Sequence, residues 1–304
     1  MIIVIGGPTG VGKTELSLAL AKKYNCEIIS ADSMQVYKGM DIGTAKATKD
    51  ERGVVVHHLL DIVRVEEEFS VAEYQESARA AIDDIISRGK TPMFVGGSGF
   101  YIKAALHDFT FENTRRDEAF EAAHAHYDNQ TLHRMLEGTD PRSASTIHPN
   151  NRVRVLQALR RAREGNPKSA HTSGDKPLYD YSLIVLEMPR QALYRRIEQR
   201  VDAMVERGLI EEAKALHSKP LSKTAYRAIG YKELYRYFEG VDRYAEAIDN
   251  IKTNTRRLAK RQYTYFYNQF NYRALSVHQN ALITILDKAS RIVDASPQTK
   301  KDHS

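Results

Sequence analysis

A glycine-rich segment near the start of the chain constrains the possible fold most strongly. The segment is Gly7-Pro8-Thr9-Gly10-Val11-Gly12-Lys13-Thr14. It matches the phosphate-loop pattern G-x-x-x-x-G-K-[ST] at every fixed position. A short apolar run at residues 2–5 precedes it, and residues 14–24 follow with apolar residues at helical spacing. A strand, a glycine loop and a helix in this order predict backbone N–H groups that cradle phosphate oxygens.

Two side chains at the end of this loop carry further predictions. Lys13 places a point charge on the terminal phosphate, and Thr14 offers a hydroxyl to Mg²⁺. We therefore predict that all eight residues, from Gly7 to Thr14, bind a diphosphate or a nucleotide. The expected cofactor is Mg²⁺, with Thr14 as its protein ligand.

Strand and helix patterns alternate along the first part of the chain. Short apolar runs predict strands at residues 2–5, 27–30, 93–95 and 181–187, with a weaker candidate at 54–56. Helices are expected at residues 100–106 and 70–87, where Ser70 and Glu73 have the spacing of a capping box. This alternation predicts an α/β fold: a P-loop NTPase-like parallel sheet flanked by helices.

The pattern changes after residue 113. Helical periodicity without a convincing strand extends to residue 163, and a polar stretch rich in Gly, Pro and Ser covers residues 165–177. The chain is then nearly all helical from residue 190 to residue 269. We predict a catalytic core at 1–110 and 179–295 with a helical C-terminal part, a helical insertion at 111–178, and a disordered tail at 296–304.

Composition narrows the possible partners and the compartment. The 304 residues include 45 Lys and Arg against 39 Asp and Glu, a net charge of +6 that permits a polyanionic partner. Cys26 is the single cysteine, which excludes a disulfide framework and fits a reducing cytosol. No run approaches the roughly 18 apolar residues of a membrane span, and the start of the chain does not have the pattern of a signal peptide. A cytoplasmic protein without a membrane partner is expected.

Asp32 is the acidic residue best placed to act beside the phosphate loop. It follows the second predicted strand, and open α/β sheets bind their ligands at the carboxyl ends of their strands. A phosphate loop identifies a ligand group without identifying a reaction. From the residues alone, Asp32 is either a ligand on the metal side or a general base toward an acceptor.

Asp32 also begins a distinctive string that ends at Lys46. The string is Asp-Ser-Met-Gln-Val-Tyr-Lys-Gly-Met-Asp-Ile-Gly-Thr-Ala-Lys. Together with the phosphate loop, it resembles the tRNA dimethylallyltransferase (tRNA isopentenyltransferase) family. Further resemblances lie at residues 57–61, 96–101, 200–209, 228–232 and 259–264. The resemblance covers about residues 5 to 266, which is most of the chain.

This resemblance implies a reaction and roles for three residues. The family transfers a dimethylallyl group from its diphosphate to N6 of adenosine 37, beside the tRNA anticodon, and releases diphosphate. The resemblance implies that Asp32 is the base, that Ser98 hydrogen-bonds near the reacting amine, and that Arg200 holds the diphosphate. Ser98 replaces a Thr, which keeps the hydroxyl.

The implied partners are dimethylallyl diphosphate and the anticodon stem-loop of tRNA, with a monomeric protein expected. Basic residues interleaved with tyrosines late in the chain suit phosphate contact and base stacking. The residues predicted to contact tRNA are Asp32, Ser33, Met34, Gln35, Ser98, Arg152, Arg154, Gln157, Arg256, Lys260 and Arg261. Gln157 stands where an Arg is common in the family. The helical insertion is expected to close over the anticodon loop as a lid.

Two other classes of function are compatible with the phosphate loop. A small-molecule kinase would use ATP as donor, with Asp32 activating a hydroxyl. A nucleotide-gated RNA-binding protein would perform no chemistry and would not need the Asp32 carboxylate.

Overall fold

The computed structural model describes residues 1–111, 117–167 and 176–296. The chain forms two compact units, Met1–Leu106 with Leu178–Ser304, and His107–Pro177. We call the first the sheet unit and the second the helical unit. Nearly all of the predicted tail, at 297–304, and much of the polar stretch, at 168–175, lie outside the described residues.

The described part of the sheet unit contains one parallel sheet. Its strands are β1 (Ile2–Gly6), β2 (Cys26–Ala31), β3 (His57–His58), β4 (Thr91–Gly96), β5 (Tyr181–Glu187) and β6 (Arg273–Ser276). Their order across the sheet is β3-β2-β4-β1-β5-β6, and all neighbours run parallel. The predicted α/β class with a parallel sheet flanked by helices is confirmed.

Helices connect these strands and cover the sheet. In the sheet unit they are α1 (Lys13–Lys23), α2 (Lys49–Val54), α3 (Val71–Ser87), α4 (Gly99–Leu106), α9 (Arg190–Glu206), α10 (Leu209–His217), α11 (Lys223–Tyr226), α12 (Lys232–Phe238), α13 (Tyr244–Gln269) and α14 (Leu282–Asp294). In the helical unit they are α5 (Glu118–Ala123), α6 (Asn129–Thr139), α7 (Pro141–Thr146) and α8 (Arg152–Arg163). Among the described helices, none is long and apolar enough to cross a membrane.

Alternate residues of the buried strand β1 supply the cores on both faces of the sheet. Ile3 and Ile5 join a cluster with buried residues of α1 and α14. Ile2 and Val4 join a second cluster with buried residues of α3 and α4. Successive side chains of a strand point to opposite faces, so a strand covered on both sides is apolar at every position. Such a strand reads as a continuous apolar run in the sequence.

Helices α9, α10, α12 and α13 share a third cluster that borders the site described below. It contains Val201, Met204, Leu209, Leu234 and Ile251, together with fully buried tyrosines. In the helical unit, buried residues of α6, α7 and α8 form a separate cluster that includes Leu132, Leu136 and Leu159.

Capping boxes begin two helices, one where a helix was predicted and one just before a predicted strand. The capping box at the start of α3 is confirmed, because the Ser70 side chain accepts from the Glu73 N–H and the Glu73 carboxylate accepts from the Ser70 N–H. The strand predicted at 54–56 is wrong. Thr48 and Glu51 form a second capping box that begins α2, and the following strand is β3, two residues long. The sequence reading also missed β6.

The register of three strands sets the geometry of the site. Gly6 at the end of β1 pairs with Gly96 at the end of β4, and Gly96 pairs with Ala31 at the end of β2. The loops that follow these strands therefore leave the sheet side by side. Since parallel strands lie about 4.8 Å apart, Asp32 begins its loop about two strand spacings from the phosphate loop.

Candidate active site

The phosphate loop (residues 7–14) connects β1 to α1. Its three glycines have positive φ angles between 81° and 138°, a region that L side chains rarely adopt. The Lys13 ammonium lies over the loop and donates to the carbonyls of Gly7 and Pro8, with N···O distances of 3.0 and 2.8 Å. The loop thus has the backbone shape of an anion cradle with a cation above it.

Lys13 carries an ammonium that loses its proton easily. Burial lowers the pKa of this group to about 7, and the positive charge of Arg200 adds to the decrease. The Asp32 carboxylate opposes both effects. An anion bound in the cradle would stabilise the protonated form, so anion binding here is coupled to proton uptake.

Asp32 lies directly after β2, and Ser98 lies two residues after β4. The Asp32 carboxylate accepts a hydrogen bond from the Met34 N–H at 2.9 Å, which holds the side chain against its own loop. The Ser98 hydroxyl oxygen accepts from the Ser33 N–H at 3.3 Å. The structure thus brings two of the predicted catalytic residues to neighbouring positions at the carboxyl edge of the sheet.

A cavity of about 500 Å³ extends from the phosphate loop, and we call it the phosphate cavity. Its wall includes Lys13, Thr14, Asp32, Arg200 and Gln262. The cavity therefore offers three cations, Lys13, Arg196 and Arg200, and the loop N–H groups to an anion, and it holds the Asp32 carboxylate in the same wall. This combination suits a ligand that has a diphosphate at one end and a reacting centre beside it.

A second cavity, of about 270 Å³, adjoins the first, and we call it the apolar cavity. Its apolar wall includes Ile197, Val201, Met204, Leu209, Ile251 and Leu258. It shares five lining residues with the phosphate cavity: Thr9, Asp32, Thr44, Arg200 and Gln262. A carboxylate and a guanidinium therefore stand in a wall common to both cavities, where two ligands can meet.

Arg200 reaches this wall from α9, whose buried face packs into the core through Ile197, Val201 and Met204. Burial lowers the pKa of the Arg200 guanidinium, and the Asp32 carboxylate opposes this effect. Because a guanidinium starts from a pKa above 12, it keeps its charge. Its planar fork can bind two diphosphate oxygens at once.

Gln262 is a residue of this site that the sequence reading missed. It lies on α13 in the buried stripe that includes Ala259 and Phe266. Its side-chain oxygen accepts from the Thr9 N–H of the phosphate loop at 2.8 Å. A Cβ at Gly97 would meet the Gln262 amide nitrogen at 2.2 Å, so a larger residue there would displace the Gln262 side chain. Gln262 could have been found in the sequence as a polar residue at a position of α13 where helical spacing predicts a buried apolar one.

The predicted tRNA-binding residues near Asp32 differ in their surroundings. Gln35 is engaged internally, since its side chain accepts from the Ser30 hydroxyl at 3.0 Å and donates to the Thr44 carbonyl at 3.2 Å. Ser33 and Met34 line the apolar cavity. These internal hydrogen bonds of Gln35 stabilise the loop after β2.

The basic residues predicted on α13 divide into two groups. Arg256 pairs with Glu198 of α9 at 2.5 Å and donates to Thr253. Lys260 and Arg261 are exposed and line a surface cavity together with Arg257, Thr264, Tyr265, Asn268 and Gln269. The second group places cations beside an aromatic ring.

In the helical unit, the three predicted tRNA-binding residues lie on α8. The Arg152 guanidinium donates to the carbonyls of Tyr127 and His124 at 2.7 and 2.8 Å, so it braces the end of α5. Arg154 and Gln157 are exposed, three residues apart on one face of the helix.

Comparison with known proteins identifies the family. The model of the IPP transferase family matches residues 35–269. A tRNA dimethylallyltransferase of Bacillus pumilus is 49% identical over 286 residues, covering 89% of this chain and 87% of the relative. One of Geobacillus thermodenitrificans is 51% identical over 276 residues, covering 88% of each chain.

Solved structures agree with the sequence comparisons. The crystal structure of a tRNA isopentenylpyrophosphate transferase of Bacillus halodurans has a TM-score of 0.75 and 43% identity, and the match covers 96% of this chain and 95% of that one. A eukaryotic dimethylallyltransferase acting on tRNA has a TM-score of 0.82 and 28% identity, with 99% and 81% covered. The chain therefore belongs to the IPP transferase family.

Proposed function

We propose that this protein transfers a dimethylallyl group from dimethylallyl diphosphate to N6 of adenosine 37 in tRNA and releases diphosphate. Relatives that cover almost nine-tenths of the chain bear the name tRNA dimethylallyltransferase. One observation carries the proposal on the side of the site: Asp32 and Arg200 stand in the wall common to the phosphate and apolar cavities. A donor and an acceptor bound in the two cavities would meet at these residues.

The diphosphate of the donor binds in the phosphate cavity. Loop N–H groups contact its oxygens, the Lys13 ammonium neutralises part of its charge, and Arg200 holds it with a bidentate fork. These groups stabilise the transition state more than the ground state, because negative charge grows on the diphosphate as it leaves.

The transfer replaces one bond by another. The N6–C1 bond forms, the bond between C1 and the bridging oxygen breaks, and the electron pair of that bond leaves with the diphosphate. The adenine amino group is a weak nucleophile because its lone pair is delocalised into the ring. Asp32 takes the proton that N6 loses, and the Ser98 hydroxyl hydrogen-bonds near this amine.

The Mg²⁺ proposal rests on Thr14, which is exposed at the start of α1 and lines the phosphate cavity. Among the described residues, no group of three or more His, Cys, Asp or Glu could hold a metal ion. That fits Mg²⁺, which usually takes few protein ligands and uses substrate phosphates and water for the rest. When bound, the ion would neutralise charge on the leaving diphosphate.

The tRNA contacts proposed here fall on both units. In the sheet unit, exposed Lys260 and Arg261 would contact backbone phosphates, beside the Tyr265 ring in the wall of the same surface cavity. In the helical unit, Arg154 and Gln157 are exposed on α8. Three expectations stay predictions: that the helical unit acts as a lid, that the protein is a monomer, and that it is cytoplasmic.

A direct assay separates this function from the alternatives. The protein is incubated with unmodified tRNA, Mg²⁺ and either dimethylallyl diphosphate or ATP, and the tRNA is digested for nucleoside mass analysis. Prenylated adenosine with the first donor alone supports the proposal. ATP turnover on a small acceptor without prenylated adenosine would identify a kinase, and tRNA binding without either product would indicate an RNA-binding protein.

A further inference from the structure

Glu212 of α10 binds a run of consecutive backbone N–H groups in the loop after β2. Its carboxylate accepts from the N–H groups of Asp41, Ile42 and Gly43 at 2.8 to 3.0 Å, and both of its oxygens take part. Three successive N–H groups that converge on one point form an anion-binding concavity. Here the protein fills that concavity with its own carboxylate.

Tyr231 completes this arrangement from the side of α12. Its hydroxyl donates to the Glu212 carboxylate at 2.6 Å, and the whole residue is buried. A Cβ at Gly43 would lie 2.6 Å from the Tyr231 ring, so the loop backbone rests directly on that ring. Glu212 and Tyr231 thus fix the position of residues 41–43 from two sides.

The next residue, Thr44, lines both the phosphate cavity and the apolar cavity. Its hydroxyl donates to the Met40 carbonyl at 2.6 Å, and its carbonyl accepts from the Gln35 side chain. Because its proton is engaged within the loop, the Thr44 oxygen can only accept a hydrogen bond from a ligand.

We propose that Glu212 is a positioning residue for the transfer reaction, acting through residues 41–43 to hold Thr44 in the wall common to both cavities. This inference rests on the proposed function. The acceptor amine carries two N–H groups, and Asp32 takes the proton of one. The other loses its water partner when the bound substrates exclude solvent, and it then needs an acceptor because an unpaired buried donor is costly. Thr44 supplies that acceptor.

Glu212→Gln is the informative substitution. A carboxylate accepts hydrogen bonds on both oxygens, whereas the amide would direct an N–H₂ group at one of the loop N–H groups. Glu211→Gln, at an exposed position of the same helix, is the matched control. Tyr231→Phe removes the hydroxyl and keeps the ring against Gly43, so it tests the same arrangement with less risk to folding.

The test measures kcat and KM for each substrate, with the thermal unfolding midpoint of every variant. We expect Glu212→Gln to lower kcat about tenfold, the scale of one lost hydrogen bond in the transition state. The KM for dimethylallyl diphosphate should stay within about twofold, because Thr44 is proposed to contact the acceptor amine, whereas Lys13, Arg200 and the phosphate loop hold the diphosphate. Tyr231→Phe should lower kcat in the same direction, and Glu211→Gln should match wild type.

A double-mutant cycle with Thr44→Val tests whether Glu212 acts through Thr44. If it does, Glu212→Gln adds little to the loss already caused by Thr44→Val. The inference would be overturned if the kcat losses of the two single variants multiply in the double variant. A wild-type kcat in folded Glu212→Gln would overturn it as well. If Glu212→Gln does not fold, a wild-type kcat in Tyr231→Phe overturns it equally. Wild-type protein that forms no prenylated adenosine would instead reject the proposed function.

Discussion

The side-chain oxygen of Gln262 accepts a hydrogen bond from the backbone N–H of Thr9, with an N···O distance of 2.8 Å. This bond joins α13 to the phosphate loop across 253 positions of sequence. Both residues line both cavities. The helix that carries the exposed cations Lys260 and Arg261 therefore also touches the loop proposed to bind the diphosphate.

Gln262→Glu should weaken donor binding. The substitution keeps the shape of the side chain and adds a negative charge beside the loop, where it repels the diphosphate at short range. We expect the KM for dimethylallyl diphosphate to rise at least tenfold. Steady-state kinetics measure it, with Gln199→Glu, exposed on α9 next to Arg200, as the control for added charge. Equal KM values in the two variants would exclude a contact between Gln262 and the donor site.

Donor affinity should fall as the pH rises through about 7. The pKa of Lys13 is lowered to about 7 in the free protein, chiefly by burial, so the ammonium is protonated below that pH and neutral above it. Binding a diphosphate requires the charged form, which costs up to tenfold in affinity per pH unit above 7. Isothermal titration with diphosphate from pH 6 to pH 9 measures this slope. Lys13→Arg, which stays charged, should flatten the slope, and an equally steep slope in that variant would assign the titration to another group.

Lys260→Ala should weaken tRNA binding without changing the chemistry at saturation. A lysine that contacts one phosphate releases about one counterion, so its loss reduces the slope of log K against log salt by roughly 0.7 to 0.9. Filter binding at several salt concentrations measures the slope. Lys288→Ala, at an exposed position of α14, is the control and should leave it unchanged. A slope for Lys260→Ala equal to that of wild type would remove Lys260 from the RNA surface.

A buried carboxylate with three partly exposed basic partners, at the other end of the sheet, provides a test of stability. The Glu27 carboxylate, 2% exposed on β2, contacts Arg88 at 2.5 Å and both Lys90 and His58 at 2.7 Å. The hydrogen bond from Arg88 is the main cause that holds the pKa of Glu27 well below its ordinary value of 4.5. A lowered carboxyl pKa contributes stability that is present above pH 4.5 and is lost as the pH falls toward the folded-state value.

Glu27→Gln should therefore lower the free energy of unfolding by about 2 kcal/mol at pH 7, because it removes the charged hydrogen bonds between a buried carboxylate and the partly exposed side chains of Arg88 and Lys90. The difference from wild type should narrow below pH 4.5 as the wild-type carboxylate gains its proton. Urea denaturation at several pH values measures both effects, and Glu76→Gln, exposed on α3, serves as the control. A difference that does not depend on pH would show that Glu27 contributes no charge interaction.

The sequence predicted the parts of the fold that local patterns determine. Fully buried strands appear as unbroken apolar runs, so β1 and β5 were found, and the capping box fixed the start of α3. β6 was missed because it is short and has a single buried residue, Leu275, so its existence depends on pairing with β5. The strand predicted at 54–56 failed because Val54 still belongs to α2 and the following strand begins only at His57.

The same distinction between local patterns and long-range contacts applies to the site. The phosphate loop and Asp32 lie in motifs that can be read directly, and the sheet register brings them together. The roles of Gln262 and Glu212 depend on contacts between segments that are far apart in the chain, 253 positions for Gln262 and Thr9 and about 170 for Glu212 and the loop at 41–43. No local pattern encodes such contacts.

The turnover of Asp32→Asn tests directly whether the Asp32 carboxylate is the general base. The substitution keeps the size of the side chain and removes the base, so we predict a kcat at least 100-fold lower, within the range for a lost general base. Affinity for tRNA and for dimethylallyl diphosphate should stay within a few-fold of wild type. Prenylated adenosine formed by Asp32→Asn at the wild-type rate would show that Asp32 does not accept the proton from N6.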